Sequence, residues 1–153
     1  MLPIDLITLE RIELRLKIAS KKSLLQKLGK LLTIGSTNLS PDLVFDQLLA
    51  RERLGSTGLG RGIALPHTRI KSLDCAIGAF VQLQKGIAFD AIDNLPVDIA
   101  FALLVPQNAT AAHLQILAKL ASIFENIEIC DQLRNIETKE HILAVFQNTR
   151  LPN

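Results

Sequence analysis

The sequence is poor in the residues on which disulfide-bonded scaffolds, metal sites and base-stacking surfaces depend. It has two cysteines, Cys75 and Cys130, three histidines, six phenylalanines, and neither tryptophan nor tyrosine. The cysteines are far apart, and no cysteines or histidines are paired at metal-ligand spacing, so we expect two reduced, buried thiols and no metal site. Nucleic-acid platforms stack bases on aromatic rings, and the shortage of such rings argues against nucleic-acid binding.

Long hydrophobic runs and a large net charge are also missing. The longest uninterrupted apolar run, residues 99–105, has seven residues, whereas a helix needs about 20 to cross a bilayer. Asp5 and Glu10 stand where a secretory signal peptide would have a basic start and an apolar stretch. The net charge is only +2, although residues 1–30 are basic. We therefore expect a cytoplasmic protein with no membrane insertion and no nucleic-acid partner.

Apolar residues, by contrast, are plentiful and regularly spaced. They make up 48% of the 153 positions, which is enough for one buried core and predicts a single domain over residues 1–153. Alternating and continuous apolar stretches predict four strands, at residues 12–18, 63–67, 76–84 and 97–105. Pro66 favours extended backbone at Leu65, so residues 63–67 are predicted to be a short strand or the end of a strand, and not a helix. Residues 89–96 are predicted to be an ordered loop.

Helices are predicted where apolar residues recur every three to four positions. Their first turns follow residues whose side chains can cap a helix, namely Ser20 or Ser23, Ser40, Thr110 and Thr138. A short helix is also expected through Ile129 and Leu133. The Ser40 helix should end near Gly55 and bury Val44, Phe45, Leu48 and Leu49. This mixture predicts an α/β fold with a single mixed sheet of about five strands, flanked by helices on both faces.

Residues 55–62, here called the glycine loop, contain four of the eight glycines. Free backbone N–H groups in such a loop can hold phosphate oxygens, and the alternative is a loop with positive φ angles and nothing bound. A Walker loop would need Lys and then Ser or Thr where Arg61 and Gly62 stand, and a dinucleotide turn would need glycine in place of Ile63. The loop also leads into a strand, whereas both motifs lead into a helix.

His67 is the main candidate for a nucleophile. It follows a proline at the end of a short predicted strand, an edge where ligands collect in layered α/β folds. A neutral imidazole can attack phosphorus and pass the phosphoryl group on. Such a reaction needs fixed positive donors, and four are close in sequence: Arg51, Arg53, Arg61 and Arg69. The alternative is a surface histidine or one with a structural hydrogen bond.

His113 and His141 are weaker candidates. His113 stands in the first turn of the Thr110 helix, where the helix dipole disfavours an imidazolium and a neutral ring can donate or accept a hydrogen bond. By itself it indicates only a histidine bonded to a backbone carbonyl. No role is expected for His141. No serine stands in a G-x-S-x-G motif, which excludes that class of hydrolase.

From Glu52 to His67 the sequence resembles the active-site signature of the type-2 enzyme IIA domains of the bacterial phosphotransferase system, the fructose and mannitol class. The matching residues are Glu52, then Leu59-Gly60 after six intervening residues, then Ile-Ala-Leu-Pro-His at 63–67. Three further segments are similar to the nitrogen-regulatory branch of this class, at residues 51–58, 89–98 and 101–106. The resemblance is continuous over about residues 41–120.

The resemblance implies one enzyme IIA domain, a mixed sheet, and a phosphotransferase that works through a phosphohistidine. His67 would take a phosphoryl group from the phosphohistidine of a small carrier protein, with His113 as a second histidine beside it and Arg51 near the phosphate. The phosphoryl oxygens would be held by the glycine loop and the residue after the nucleophile, namely Ser56, Thr57, Gly58, Gly60 and Thr68. No dissociable cofactor and no metal are implied.

Members of the nitrogen-regulatory branch use their phosphorylation state to regulate other proteins, potassium uptake and nitrogen metabolism among them. The expected function is therefore a regulatory phosphocarrier without small-molecule turnover. Two alternatives stay open: a sugar-specific IIA component that passes phosphate to a transporter's IIB domain, and a binding module that keeps the fold but transfers nothing. Thr68 departs from the family, which has a small residue there, and Arg61 is expected to add positive charge close to the site.

Overall fold

A computed structural model describes residues 2–148, in which helices cover both faces of one six-stranded sheet. The strands are β1 (Ile12–Leu16), β2 (Gly58–Gly60), β3 (Ile63–Ala64), β4 (His67–Ile70), β5 (Ile77–Ile87) and β6 (Val97–Pro106). The helices are α1 (Lys21–Leu32), α2 (Pro41–Leu54), α3 (Ala111–Glu125), α4 (Ile127–Asn135) and α5 (Lys139–Asn148), and a single 3-10 turn spans Leu9–Arg11. Within the described part, no helix has the length and apolar character needed to cross a membrane.

The strands lie in the order β1-β5-β6-β3-β2, and β4 pairs with β6 beyond the end of β3. β5 and β6 are antiparallel, whereas β1 runs parallel to β5, and β3 and β4 run parallel to β6. The predicted α/β fold with a mixed sheet is confirmed. The short strand expected before His67 is split in two, because Pro66 has no N–H to donate to the ladder. Its carbonyl still accepts a hydrogen bond from the Leu103 N–H at 2.9 Å.

The glycine loop contains a strand that the sequence did not predict. β2 pairs antiparallel with β3 at the edge of the sheet. Glycine supplies no side chain to pack and is rare in strands, so the pattern gave no signal there. The positive φ angles expected of the loop occur at Gly60, with φ 90°, and at Gly62, with φ 85°.

Each face of the sheet covers its own core. Alternate residues of a strand point to opposite faces, so Phe80 of β5 and Phe101 of β6 pack with Phe124 of α3 and Phe146 of α5. The ring centroids of Phe101 and Phe146 lie 5.1 Å apart. On the other face, small residues of β5 and β6 pack against leucines of α1 and α2. β6 is buried along nearly its whole length, as its continuous apolar run predicted.

The predicted caps begin the helices. Between the two serines considered for α1, the structure uses Ser20, whose Oγ accepts a hydrogen bond from the Ser23 N–H at 3.1 Å. Ser40 caps α2 and Thr110 caps α3 in the same way. The Thr138 Oγ1 accepts a hydrogen bond from the His141 N–H in the first turn of α5. These bonds satisfy N–H groups that the first turn of a helix leaves without partners.

Three details differ from the sequence-based expectations. The first strand ends at Leu16 and not near residue 18, because Arg15 has a left-handed backbone, φ 55°, and the pairing with β5 shifts there. Phe45 and Leu49 are only half-buried, because they flank the fully buried stripe of α2. The prediction that both thiols are buried is wrong for Cys75, which is exposed in the loop before β5.

Candidate functional site

His67 lies beside a cavity between the sheet and helices α2 and α3. Its pairing with Leu103 of β6 fixes its position along the sheet. The cavity, here called the His67 cavity, has a volume of about 570 Å³, a size typical of ligand pockets. Its polar lining comes from Gln47, Arg51, His67, Thr68, Arg69 and His113, and its apolar lining from Ala50, Leu54, Leu103, Val105, Leu114 and Leu117.

The half-buried ring of His67 has one nitrogen already engaged. Nδ1 lies 2.7 Å from the carbonyl oxygen of Leu65, and because a carbonyl can only accept, Nδ1 carries the proton. Burial lowers the pKa of His67 and the Arg51 guanidinium lowers it further, whereas the Leu65 carbonyl and the Glu52 carboxylate act in the opposite direction. A pKa below the ordinary value of about 6.5 keeps the ring neutral at pH 7. The lone pair then resides on Nε2.

His113 reaches the same cavity from the first turn of α3. Its ring Nδ1 accepts a hydrogen bond from the backbone N–H of Thr110 at 3.2 Å, and the backbone N–H of His113 donates to the Thr110 Oγ1 at 3.4 Å. The expected partner was a backbone carbonyl, so this detail is corrected to a backbone N–H. Because Nδ1 accepts, the proton of the neutral ring is on Nε2. The two histidines thus differ in kind: His67 offers a lone pair, and His113 offers a donor.

Cations and a hydroxyl complete the polar wall. Arg51, near the end of α2, donates from Nη1 to the Gly55 carbonyl at 2.9 Å. Thr68 and Arg69 follow His67 on β4, and Thr68 is half-buried. Of the four arginines that the sequence placed near His67, Arg51 and Arg69 line the cavity, whereas Arg53 is not among its lining residues.

Arg61 is directed elsewhere, which corrects the expectation that it adds charge close to His67. Its guanidinium donates to the carbonyls of Phe124 and Glu125, at 3.0 and 3.1 Å, where α3 ends. Its backbone N–H donates to the Asp93 carboxylate at 2.7 Å. A cation at a helix C-terminus is favourable because the carbonyls there have no partners within the helix. Arg61 therefore ties the glycine loop to the far end of α3.

The other predicted residues of the glycine loop do not reach the cavity wall. Ser56 donates from Oγ to the Phe89 carbonyl at 3.0 Å and accepts from the Gly58 N–H at 3.1 Å. Thr57 is buried, and both its N–H and its hydroxyl bond to the Glu52 carboxylate. Gly60 lies against the Asp93 side chain. The geometry thus brings together His67, His113, Arg51 and Thr68, but not Ser56, Thr57, Gly58 or Gly60.

A buried ion pair below the loop was missed by sequence reasoning. The carboxylate of Glu52, with 2% of its side chain exposed, lies 2.8 Å from Nζ of Lys21, the first residue of α1. Glu52 holds Thr57, and the Thr57 carbonyl accepts a hydrogen bond from the Leu65 N–H at 3.0 Å. Leu65 in turn holds the ring of His67. A lysine in the first turn, where the helix dipole disfavours a cation, was the one available signal.

No group of three or more His, Cys, Asp or Glu side chains within residues 2–148 is arranged to hold a metal ion.

Residues 5–149 match the family model of the EIIA 2 domain of the phosphoenolpyruvate-dependent sugar phosphotransferase system. The nitrogen regulatory protein of Escherichia coli K12 is 42% identical over 136 residues, which are 88% of this chain and 83% of that protein. A fructose-specific EIIA component of Haloferax volcanii is 31% identical over 94% of this chain and 90% of that protein.

The fold agrees with these relatives. The crystal structure of the nitrogen regulatory protein IIA-Ntr from Neisseria meningitidis superposes with a TM-score of 0.87 at 42% identity, covering 93% of this chain and 97% of that one. The family model covers nearly the whole chain, and the identity to nitrogen regulatory proteins exceeds that to the sugar-specific relative. The chain therefore belongs to the EIIA 2 family of the phosphotransferase system, and within it to the nitrogen-regulatory IIA-Ntr branch.

Proposed function

We propose that this protein, as one cytoplasmic enzyme IIA domain over residues 1–153, accepts a phosphoryl group on Nε2 of His67 from the phosphohistidine of a carrier protein. The observation that carries the proposal is the hydrogen bond between Nδ1 and the Leu65 carbonyl, 2.7 Å long. It commits Nδ1 as a donor and leaves Nε2 as the only nucleophilic nitrogen of the ring. The lowered pKa keeps that nitrogen unprotonated at neutral pH.

The transfer breaks one N–P bond and forms another. The carrier's histidine nitrogen leaves with the electron pair of the broken bond, and the lone pair of His67 Nε2 forms the new bond, so no oxidant or cofactor is needed. Arg51, the Nε2–H of His113 and the Thr68 hydroxyl supply donors for the phosphoryl oxygens. As the His67 ring becomes cationic on phosphorylation, its Nδ1–H bond to the Leu65 carbonyl strengthens and stabilises the product.

Residues of the glycine loop contribute by placing the nucleophile in this proposal. Ser56, Gly58 and Gly60 form the loop whose amides were expected to hold phosphate, and their contacts are with the loop itself and with residues 89–93. Thr57 anchors Leu65, and Leu65 orients His67. Direct contact of these four loop residues with the phosphoryl group would require the loop to open.

A labelling experiment tests the nucleophile. The purified protein is incubated with a phosphorylated carrier or with phosphoramidate, a small donor that needs no docking, and intact mass reports the phosphoryl groups gained. Wild type should gain one acid-labile group and His67→Ala none, while the matched control His141→Ala, an exposed histidine of α5, should label like wild type. An acid-labile adduct on His67→Ala would overturn the assignment, and a wild type that stays unlabelled would favour a binding module.

The biological role proposed is regulation of target proteins, such as components of potassium transport, according to phosphorylation state. Its support is the identity to nitrogen regulatory proteins. The fructose-specific relative, at 31% identity, favours a second candidate, a sugar-specific IIA component. Mixing the labelled protein with the IIB domain of a fructose transporter separates the two. A regulator should keep its label, whereas a sugar-specific component should pass it to IIB.

A further inference from the structure

A second cavity extends the His67 cavity along the surface. It has a volume of about 510 Å³ and shares Gln47 and Arg69 with the His67 cavity. Its other walls come from Leu43, Ile70, Lys71, Gln107 and Asn108. Together the two cavities form one trough between α2 on one side and β4 with the end of β6 on the other. The volume of the trough is far larger than a phosphoryl group requires.

The charges along this trough have one sign. Arg69 and Lys71 are both exposed and flank the buried Ile70 at the end of β4, so their side chains project from the same side of the strand. Neither forms a hydrogen bond or an ion pair with another described residue. No Asp or Glu lines either cavity among residues 2–148. We call Arg69 and Lys71 the basic rim.

Exposed apolar side chains accompany the basic rim. Leu54 is 85% exposed, Leu114 47% and Leu43 45%, and each lines one of the two cavities. Large exposed leucines around a polar centre are typical of protein interfaces, in which an apolar patch is surrounded by charged and polar groups. The trough thus has the composition of a docking surface for a protein, with His67 at one end and the uncompensated positive charge of the basic rim at the other.

We infer that the basic rim docks a carrier protein whose surface, to one side of its phosphohistidine, bears acidic residues. This inference rests on the proposed function and adds the chemistry of the partner. Charge complementarity favours an acidic partner, because no carboxylate of α2 neutralises the basic rim. Asp42 and Asp46, the sequence neighbours of the lining residues Leu43 and Gln47, line neither cavity. The Glu52 carboxylate is buried against Lys21. A partner that presented cations here would meet Arg69 and Lys71 without compensation, which is unfavourable.

Charge reversal at the basic rim tests the inference. Binding of the unphosphorylated carrier protein encoded in the same genome is measured by titration calorimetry for wild type and for Arg69→Glu/Lys71→Glu. We expect the double variant to bind roughly tenfold more weakly at low salt, and wild-type binding to weaken with added NaCl while the variant's does not. The matched control is Lys17→Glu/Lys85→Glu, which changes the net charge equally. Those lysines lie where β1 and β5 end, about 20 Å from the rim along the sheet.

The outcomes separate this inference from the proposed function. Equal or tighter binding by the double variant, or wild-type binding that strengthens with salt, would overturn the inference. Labelling of the single variant Lys71→Glu with phosphoramidate, which needs no docking, reports the chemistry alone, and Lys71 does not line the His67 cavity. A carrier that binds wild type in a salt-dependent way while phosphoramidate leaves His67 unlabelled would uphold the docking surface and reject the proposed chemistry.

Discussion

The His67 cavity and the glycine loop are neighbouring polar regions that differ in whether their polar groups have hydrogen-bond partners within the protein. In the loop, the polar groups of Ser56, Thr57 and Arg61 are bonded within the protein. In the cavity, Nε2 of His67 and the guanidinium of Arg69 have no partner among the described residues. Buried polar groups that are fully satisfied stabilise a structure, whereas unsatisfied ones at a surface are available to a ligand. We therefore expect loop variants to lose stability and cavity variants to lose transfer.

The largest effect is expected at the buried ion pair of the loop. Glu52→Ala leaves the Thr57 N–H and hydroxyl without their carboxylate and removes the closest anion from the Lys21 ammonium, which keeps the Phe89 carbonyl and Asp90 as partners. Breaking a buried pair costs about 3–5 kcal/mol. Urea denaturation measures the loss of unfolding free energy. Glu140→Ala, an exposed carboxylate in the first turn of α5, is the control and should stay within about 0.5 kcal/mol of wild type. A Glu52→Ala protein as stable as the control would show that the pair is not structural.

Arg51→Ala is expected to slow labelling strongly and to lower stability only slightly, the opposite of what is expected for Glu52→Ala. It removes a cation from the cavity wall and one hydrogen bond to Gly55, both on the surface of α2. Labelling with phosphoramidate should slow by roughly a hundredfold, the typical cost of removing one donor to a developing charge. Stability should fall by only about 1 kcal/mol. The matched control is Arg53→Ala, which removes an exposed arginine two residues away that does not line the cavity. Equal rates for the two variants would exclude a role for Arg51.

The pH dependence of His67, the proposed nucleophile, sharpens the comparison. The pKa of His67 is lowered, chiefly by burial and also by Arg51, so its NMR titration should have a midpoint below the ordinary value of about 6.5. Between these two values the unfolded chain binds more protons than the native one. The contribution of His67 to stability is therefore complete above about pH 6.5 and is lost as the pH falls to the folded pKa.

The same titration distinguishes the ring nitrogens. Nitrogen-15 shifts should report the proton on Nδ1 in the neutral form, and phosphorylation should alter the Nε2 resonance. A proton on Nε2 in the neutral ring would contradict the role assigned to the Leu65 carbonyl. In Arg51→Ala the midpoint should rise, but only partly, because burial remains the larger cause.

The smallest effect is expected at Arg61. Arg61→Ala removes two hydrogen bonds to carbonyls at the end of α3, worth about 1–2 kcal/mol together. Labelling should be unchanged, because the guanidinium does not reach the cavity. Thermal denaturation and the phosphoramidate assay on the same sample measure both quantities. A variant of normal stability that labels slowly would place Arg61 in the chemistry.

Local patterns predicted most of the fold because local physics determined it. The caps of α1, α2 and α3 depend on side chains three residues from their partners, and the continuous apolar run of β6 reflects burial on both faces. The glycines of β2 carry no such signal, because main-chain pairing with β3 alone makes them a strand. The sheet could thus be predicted as mixed, but not its edge.

The site was predicted less completely because its contacts join distant segments. The signature residues around His67 pointed to it as the proposed nucleophile, and the structure brings His113 to the same cavity from a distant part of the chain. The position of Lys21 in the first turn of α1 signals an anionic partner, but nothing in the sequence identifies that partner as Glu52, thirty-one positions away. Likewise, the direction of the Arg61 side chain depends on where α3 ends. In both contacts the partner is determined by tertiary packing, and local sequence patterns do not identify it.

The number of residues that connect β3 to β4 around Pro66 limits which insertions and deletions this chain tolerates. Ala64 is in register with Ala100, and His67 with Leu103, so the three steps on one strand match three on its neighbour. Side chains alternate between faces with every step. Adding or deleting one residue between Ala64 and His67 would therefore turn the imidazole to the opposite side of the sheet. The three-residue spacing between Ala64 and His67 therefore determines on which face of the sheet the imidazole lies.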